Sequence, residues 1–211
     1  MNRLKELLPT SRPPAFVLVC ALVALAIQFF PPWRGALLYE RAGLMAGEWW
    51  RIWTGHLVHF GWPHFVMDAG LLLVVGWFAE HRHPWFTRLG LVLMPAFVSG
   101  SLFWLEPGIA RYGGLSAVNL GLLLYVAATG WSRDRHEWFW PAVIAAYAAE
   151  LLFEHLRGGQ GGGTIRFDDP GIRVATGAHL AASAYALLAL GVGWIRIRTA
   201  SPEGSSGREA R

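Results

Sequence analysis

Apolar residues fall into six blocks along this chain, separated by joints rich in proline, glycine and charge. The first block runs from Pro14 to Phe30 and is ended by Pro31-Pro32. Trp62 to Glu80, Trp85 to Leu105, Leu115 to Trp131, Trp138 to His155 and Val174 to Ile195 follow. Wound as helices, most of these blocks match the ~30 Å hydrocarbon core of a bilayer. The pattern predicts an all-α polytopic membrane protein: a six-transmembrane-helix bundle over residues 14–196, an N-terminal arm over 1–13 and a disordered polar tail over 197–211. The first block has no small-residue cleavage site, so it reads as a retained helix rather than a signal peptide. The long joint from Trp33 to Gly61 contains Gly47-Glu48-Trp49-Trp50-Arg51, which suits a segment lying in the membrane interface. The joint from Arg157 to Arg173 carries Gly158-Gly159-Gln160-Gly161-Gly162-Gly163. It predicts a flexible linker, and with no Lys-Ser/Thr after it, it is not a phosphate loop.

Composition sharpens this picture. Only 15% of the 211 residues are charged and 54% are hydrophobic, whereas a soluble domain carries about a quarter charged. Most of the 12 tryptophans flank the apolar blocks, as in an interfacial aromatic belt. The net charge of +4 does not point to nucleic acid, because the basic residues sit in joints beside apolar blocks. Six spans put both termini on one face. Arg82, Arg88, Arg133 and Arg135 share that face with Arg3, Lys5 and Arg12, which makes it the cytoplasmic one. The single cysteine, Cys20, lies mid-helix and excludes an intrachain disulfide.

The fourth block is short. Leu115 to Trp131 spans roughly 25 Å at about 1.5 Å per residue, so a helix starting there can begin below the membrane surface. It opens with Gly113-Gly114-Leu115-Ser116-Ala117-Val118-Asn119-Leu120-Gly121, which puts Ser116 at a helix N-terminus with unpaired backbone N–H groups. His64 and Asp68 share one face of the second helix at i, i+4 spacing. His179 lies roughly 7 Å down the sixth helix. A hydroxyl, two imidazoles and a carboxyl thus reach similar depth, and polar groups in hydrocarbon face a bundle interior by default. Ser116 is the candidate nucleophile and His179 its general base. The Ser116 backbone N–H, His64, Asp68 and Asn119 are candidate donors to a developing oxyanion, although Asn119 reads more simply as a helix-to-helix hydrogen bond. Small residues around both groups (Gly114, Ala117, Gly121; Gly177, Ala178, Ala181, Ala182, Ser183) let the two helices approach. His56, His59 and His64 raise the question of a metal, but no His-Glu-x-x-His is present. No metal or cofactor is expected, and His59 is read as bracing the first loop. Glu150 and Glu154 are expected to snorkel or pair with loop arginines such as Arg157.

These pieces resemble the rhomboid family of intramembrane serine proteases. The resemblance rests on Glu48-Trp49-Trp50-Arg51, then His59-Phe60, His64 and Asp68, then Gly76 and Glu80, then Gly114-Leu115-Ser116, and finally Ala178-His179. They stand in family order across nearly the whole chain. Thr54-Gly55-His56-Leu57-Val58-His59 and the bare six-helix core are most similar to the rhombosortase branch. That likeness implies an enzyme of the bacterial inner membrane with both termini cytoplasmic. Its partners would be membrane-anchored exported proteins bearing a C-terminal Gly-Gly sorting signal, within the lipid bilayer. It also implies a Ser116–His179 pair working without a third carboxylate. The chain departs from the family at three places: Ala117 and Ala182 replace glycines, and Asp68 replaces an asparagine. A neutral, donating Asp68 is expected. The alternative reading is a catalytically inactive rhomboid-like protein that binds membrane helices as a chaperone. Inverted repeats and broken helices would favour a small transporter or proton pathway through His64, Asp68 and His179, and the sequence shows none.

Overall fold

The computed structural model describes residues 13–157 and 175–200. Residues 1–12, 158–174 and 201–211, which hold most of the basic arm, the glycine-rich joint and the polar tail, lie outside the described residues; the first four residues of the expected tail, 197–200, are helical. Six long helices stand where the six apolar blocks predict them: α1 (Ala15–Phe29), α2 (Trp62–Arg82), α3 (Pro84–Leu105), α4 (Ser116–Arg133), α5 (Phe139–Leu156) and α6 (Thr176–Ala200). Among the described residues the fold is all-α apart from one pair of two-residue strands. By length and hydropathy, three helical stretches among the described residues can cross a membrane: Trp62–Arg82, Pro84–Leu105 and Thr176–Gly193. A fourth is the bent pair Ala15–Phe29 and Pro31–Leu37. The expectation of six full spans is therefore met in part. Helices α4 and α5 have 18 residues each, about 27 Å. Ser116, Asn119, Thr129 and Ser132 on α4, and Glu150 and Glu154 on α5, dilute their hydropathy.

Local sequence explains the breaks. Pro31 drives the preceding Phe30 out of helical geometry, to φ −116 and ψ 82, as a residue before proline must go. The chain restarts with proline in the first turn, where the missing N–H costs nothing. The two helices meet at 115°. In α2 a π-helical turn over Leu72–Gly76 widens the spiral where Gly76 meets Val17. A Cβ on Gly76 would come within 2.9 Å of the Val17 side chain. At the far end of α2 the buried Glu80 accepts the Val17 N–H at 3.1 Å and the Phe16 N–H at 3.4 Å. A carboxylate thereby caps the open N-terminus of α1, with Arg88 3.3 Å away.

The long first joint is a folded piece. Arg51 is buried, and its guanidinium donates to Gly35 O at 2.8 Å and Leu38 O at 2.7 Å while pairing with Glu48. Five donors on one rigid fork let arginine close several backbone acceptors at once. Strand β1 (Tyr39–Glu40) pairs antiparallel with β2 (Arg111–Tyr112), Tyr39 opposite Tyr112. This ties the first joint to the segment that leads into α4. The joint is also stapled to α3: Trp53 Nε1 donates to Val92 O at 2.9 Å, and Ser99 Oγ donates to Ile52 O at 2.9 Å.

At the centre α4 packs on α6 through small residues. Ala117, Ala178 and Ala182 are fully buried. A Cβ on Gly121 would come 2.5 Å from Met94 Sδ and 3.2 Å from Ala182 O. Such positions let backbones close without side chains between them. Helix α5 is held more lightly; Tyr147 is its one buried residue. The outward apolar residues, such as Val19, Leu22, Trp85, Trp104 and Trp138, are exposed, as on a lipid-facing surface.

His56 shows how the joint is tuned. Its Nε2 lies 3.1 Å from both Pro95 O and Ser99 Oγ. Since Ser99 gives its own proton to Ile52, the imidazole is the donor. Burial pushes its pKa down from 6.5 to about 4, with the Pro95 carbonyl acting in the opposite direction. Between those values the unfolded chain binds a proton that the folded chain excludes. Stability should therefore fall as pH drops from about 6.5 towards 4, by roughly 3 kcal/mol in full. The His56→Gln variant keeps a donor and loses the titration, so its melting temperature should vary less between pH 7.5 and 5. Superimposable wild-type and variant curves would contradict this.

Candidate active site

The site begins with a glycine turn. Gly114 has φ +117, a region that side chains with a Cβ rarely adopt. A Cβ there would also come 2.7 Å from His64 Nε2 and 2.9 Å from Asp68 Oδ2. The turn lets the Leu115 N–H donate to Asp68 Oδ2 at 2.8 Å. Asn119, one turn into α4, donates from Nδ2 to Asp68 O at 2.8 Å. The same residue of α2 thus holds the start of α4 by its side chain and by its backbone, and Ser116 follows as the first residue of α4.

Asp68 lies in a nest of imidazoles. His64 Nε2 is 3.2 Å and His59 Nε2 3.3 Å from Asp68 Oδ2. His64 Nδ1 accepts the Phe60 N–H at 3.4 Å, so the His64 proton sits on Nε2 and faces the carboxylate. The expectation of a neutral, donating Asp68 does not fit this arrangement. Its Oδ2 accepts, and two imidazole nitrogens and an amide crowd that one oxygen. His59 reaches from the first joint to Asp68 on α2, and His56 ties the same joint to α3.

Across the α4–α6 contact, His179 Nε2 lies 3.0 Å from Ser116 Oγ. The opposite ring nitrogen, Nδ1, lies 2.8 Å from Glu154 Oε2 on α5. Ser183 Oγ, one turn further, donates to His179 O at 2.8 Å and meets the Tyr147 hydroxyl. Hydroxyl, imidazole and carboxylate form one continuous line through three helices. A carboxylate thus stands behind the Ser116–His179 pair, for which none was expected. The expected pairing of Glu154 with Arg157 is not formed: the Arg157 guanidinium stacks 4.5 Å over the Phe153 ring instead.

The Rhomboid domain matches residues 46–197, most of the chain and all of this site. The chain belongs to the rhomboid family. Rhomboid proteins are serine intramembrane proteases acting on membrane-embedded substrates, and this one is accordingly a membrane protein of intramembrane-protease type. No curated protein matches the sequence.

Within this rhomboid fold the structure brings Ser116, His179, His64, Asp68, Asn119 and His59 to one end of the bundle. Among the described residues no group of three or more His, Cys, Asp or Glu is arranged to hold a metal ion. Two residues near the serine escaped the sequence reading. Tyr112 is buried against His56, and its hydroxyl donates to Gly114 O at 3.4 Å. Burial pushes its phenol pKa well up, opposed by hydrogen bonding to Ser116 and Ala117. Its signal would have been strand pairing, which two residues cannot announce. Glu106 fills the space over Gly177, where a Cβ would overlap its carboxyl group. That glycine sits in the first turn of α6, two residues before His179, and leaves room for a carboxylate at the positive end of the helix.

Two substitutions test the turn. Gly114→Ala should abolish activity and lower stability by about 1–3 kcal/mol through strain alone. Asp68→Ala should cost about 1–3 kcal/mol by leaving the buried Leu115 amide unpaired, while Asp68→Asn, which keeps an acceptor, should cost less. Thermal unfolding of the purified variants in detergent measures both, and equal stability of Asp68→Ala and wild type would refute the role given to the carboxylate.

Proposed function

We propose that this rhomboid protein is an active serine endopeptidase that cleaves single-span membrane proteins near the outer face of the bacterial inner membrane. The observation that carries the proposal is the 3.0 Å separation of Ser116 Oγ and His179 Nε2, a distance suited to proton transfer. In this reading six helical segments thread the bilayer with both termini cytoplasmic. Ser116 Oγ attacks the scissile carbonyl carbon as His179 Nε2 takes the hydroxyl proton. The carbonyl electrons move onto oxygen, towards the Ser116 backbone N–H as donor. When the tetrahedral species collapses, the C–N bond breaks and His179 returns the proton to the leaving amine. Water then repeats the sequence on the acyl ester and frees the carboxyl product and the serine. Asp68 acts in this scheme by orientation: it fixes the turn before Ser116 through the Leu115 amide.

The substrate class follows the rhombosortase likeness of Thr54-Gly55-His56-Leu57-Val58-His59. The expected substrates are exported proteins with a C-terminal Gly-Gly segment followed by an apolar helix and a basic cluster. Glycines suit the chemistry, since a helix must unwind before its backbone can reach a serine, and glycine is the residue that unwinds most readily apart from proline.

A reporter protein ending in such a signal, co-expressed with the chain, should lose its C-terminal helix. Ser116→Ala and His179→Ala should each lower cleavage by at least about 10³-fold while the proteins still accumulate in membranes. Normal cleavage by either variant would refute the assignment.

A further inference from the structure

Resting on the peptidase reading above, we propose that Glu154 is a positioning residue that sets the tautomer and orientation of His179, making the site a serine–histidine–glutamate line. The argument starts from burial. The Glu154 side chain is 10% exposed and that of His179 5%. A carboxylate within an apolar helix is costly unless a partner answers it. Arg157, the nearest cation in sequence, lies on Phe153. The group that answers Glu154 is the His179 ring, at 2.8 Å.

The geometry decides what that contact does. An imidazole with a carboxylate on Nδ1 carries its proton there, which leaves the Nε2 lone pair free. Nε2 is the atom facing Ser116 Oγ. The contact therefore selects the tautomer able to accept the serine proton, and it prevents rotation of the ring about its bond to the backbone. When the proton moves from Ser116 to Nε2, the positive charge appears beside a negative one in a medium of low dielectric. The proton on Nδ1 stays there throughout.

A second contact holds α5 in the register this needs. Tyr147 lies seven residues before Glu154, hence on the same face of α5. Its hydroxyl meets Ser183 Oγ and lies 3.3 Å from His179 O. The backbone of His179 is thus held by Tyr147 and Ser183, and its ring by Glu154. Holding α5 against α6 is work that Tyr147 already does, so a purely adhesive role for Glu154 would be redundant. Glu150, one turn before Glu154, is exposed and provides an internal control.

The test uses the full-length protein in detergent and a fluorophosphonate probe, whose reaction with Ser116 needs the same base. Maximal labelling rate and half-saturating probe concentration are measured separately. Glu154→Ala should lower the maximal rate by on the order of 10²-fold, with the half-saturating concentration within about threefold of wild type. Glu154→Asp should recover at least about tenfold of the loss, and Glu154→Gln, which can still accept from Nδ1, should lie between Glu154→Ala and wild type. Glu150→Ala should label as wild type does. A Glu154→Ala protein that labels within threefold of wild type overturns the proposal. So does a loss that neither Asp nor Gln relieves, since that is the behaviour of a packing residue. Labelling that persists in Ser116→Ala would instead bring down the peptidase reading on which the proposal rests.

Discussion

Close approach of two helix backbones is the constraint on which the site depends. Ser116 and His179 are short and medium-sized side chains on different helices, and they meet only if α4 and α6 come nearly into backbone contact. The contact face is built from Ala117, Gly121, Ala178 and Ala182. Two of these, Ala117 and Ala182, each carry a methyl group into the contact. Both methyls are fully buried, and the 3.0 Å hydrogen bond across the interface is kept. The interface therefore has room for a methyl at these two places. It has less at Gly121, where a Cβ would come within 2.5 Å of Met94 Sδ.

A second requirement sets where the polar groups lie. Backbone and side-chain polar atoms inside a bilayer must find partners within the protein. This chain gathers them in two regions. Glu80 closes the open end of α1 at one end of the bundle. At the other end Asp68 closes the turn before α4, and Arg51 closes the carbonyls of the first joint. The two-residue strand pair ties that joint to the Gly113-Gly114 turn. The serine thus stands at the crossing of three separately stabilised pieces: α2, the first joint and α6.

Much of this was legible in the residues. Apolar blocks bounded by prolines and tryptophans located all six helices to within a few residues. Equal depth along neighbouring helices brought Ser116, His179, His64 and Asp68 together, because depth follows from counting residues at a fixed rise. What could not be counted was rotation. Whether Glu154 faces lipid, water or α6 depends on how α5 is turned about its axis, and Tyr147–Ser183 fixes that only after the helices meet. Direction of donation was equally hidden. Asp68 read as a donor by its place, yet the amide it faces belongs to Leu115, 47 residues away. The strand pair was invisible because two residues carry no periodicity. By length and hydropathy α4 and α5 fall short of the other spans, because they are short helices that carry polar residues such as Ser116, Asn119, Glu150 and Glu154.

The most direct test of the central claim is an experimental structure of the wild-type chain determined in a lipid bilayer. The account predicts Ser116 Oγ and His179 Nε2 within about 3 Å of each other, both turned into the bundle. Serine and histidine on opposite faces of α4 and α6, or either one turned to lipid, would contradict it.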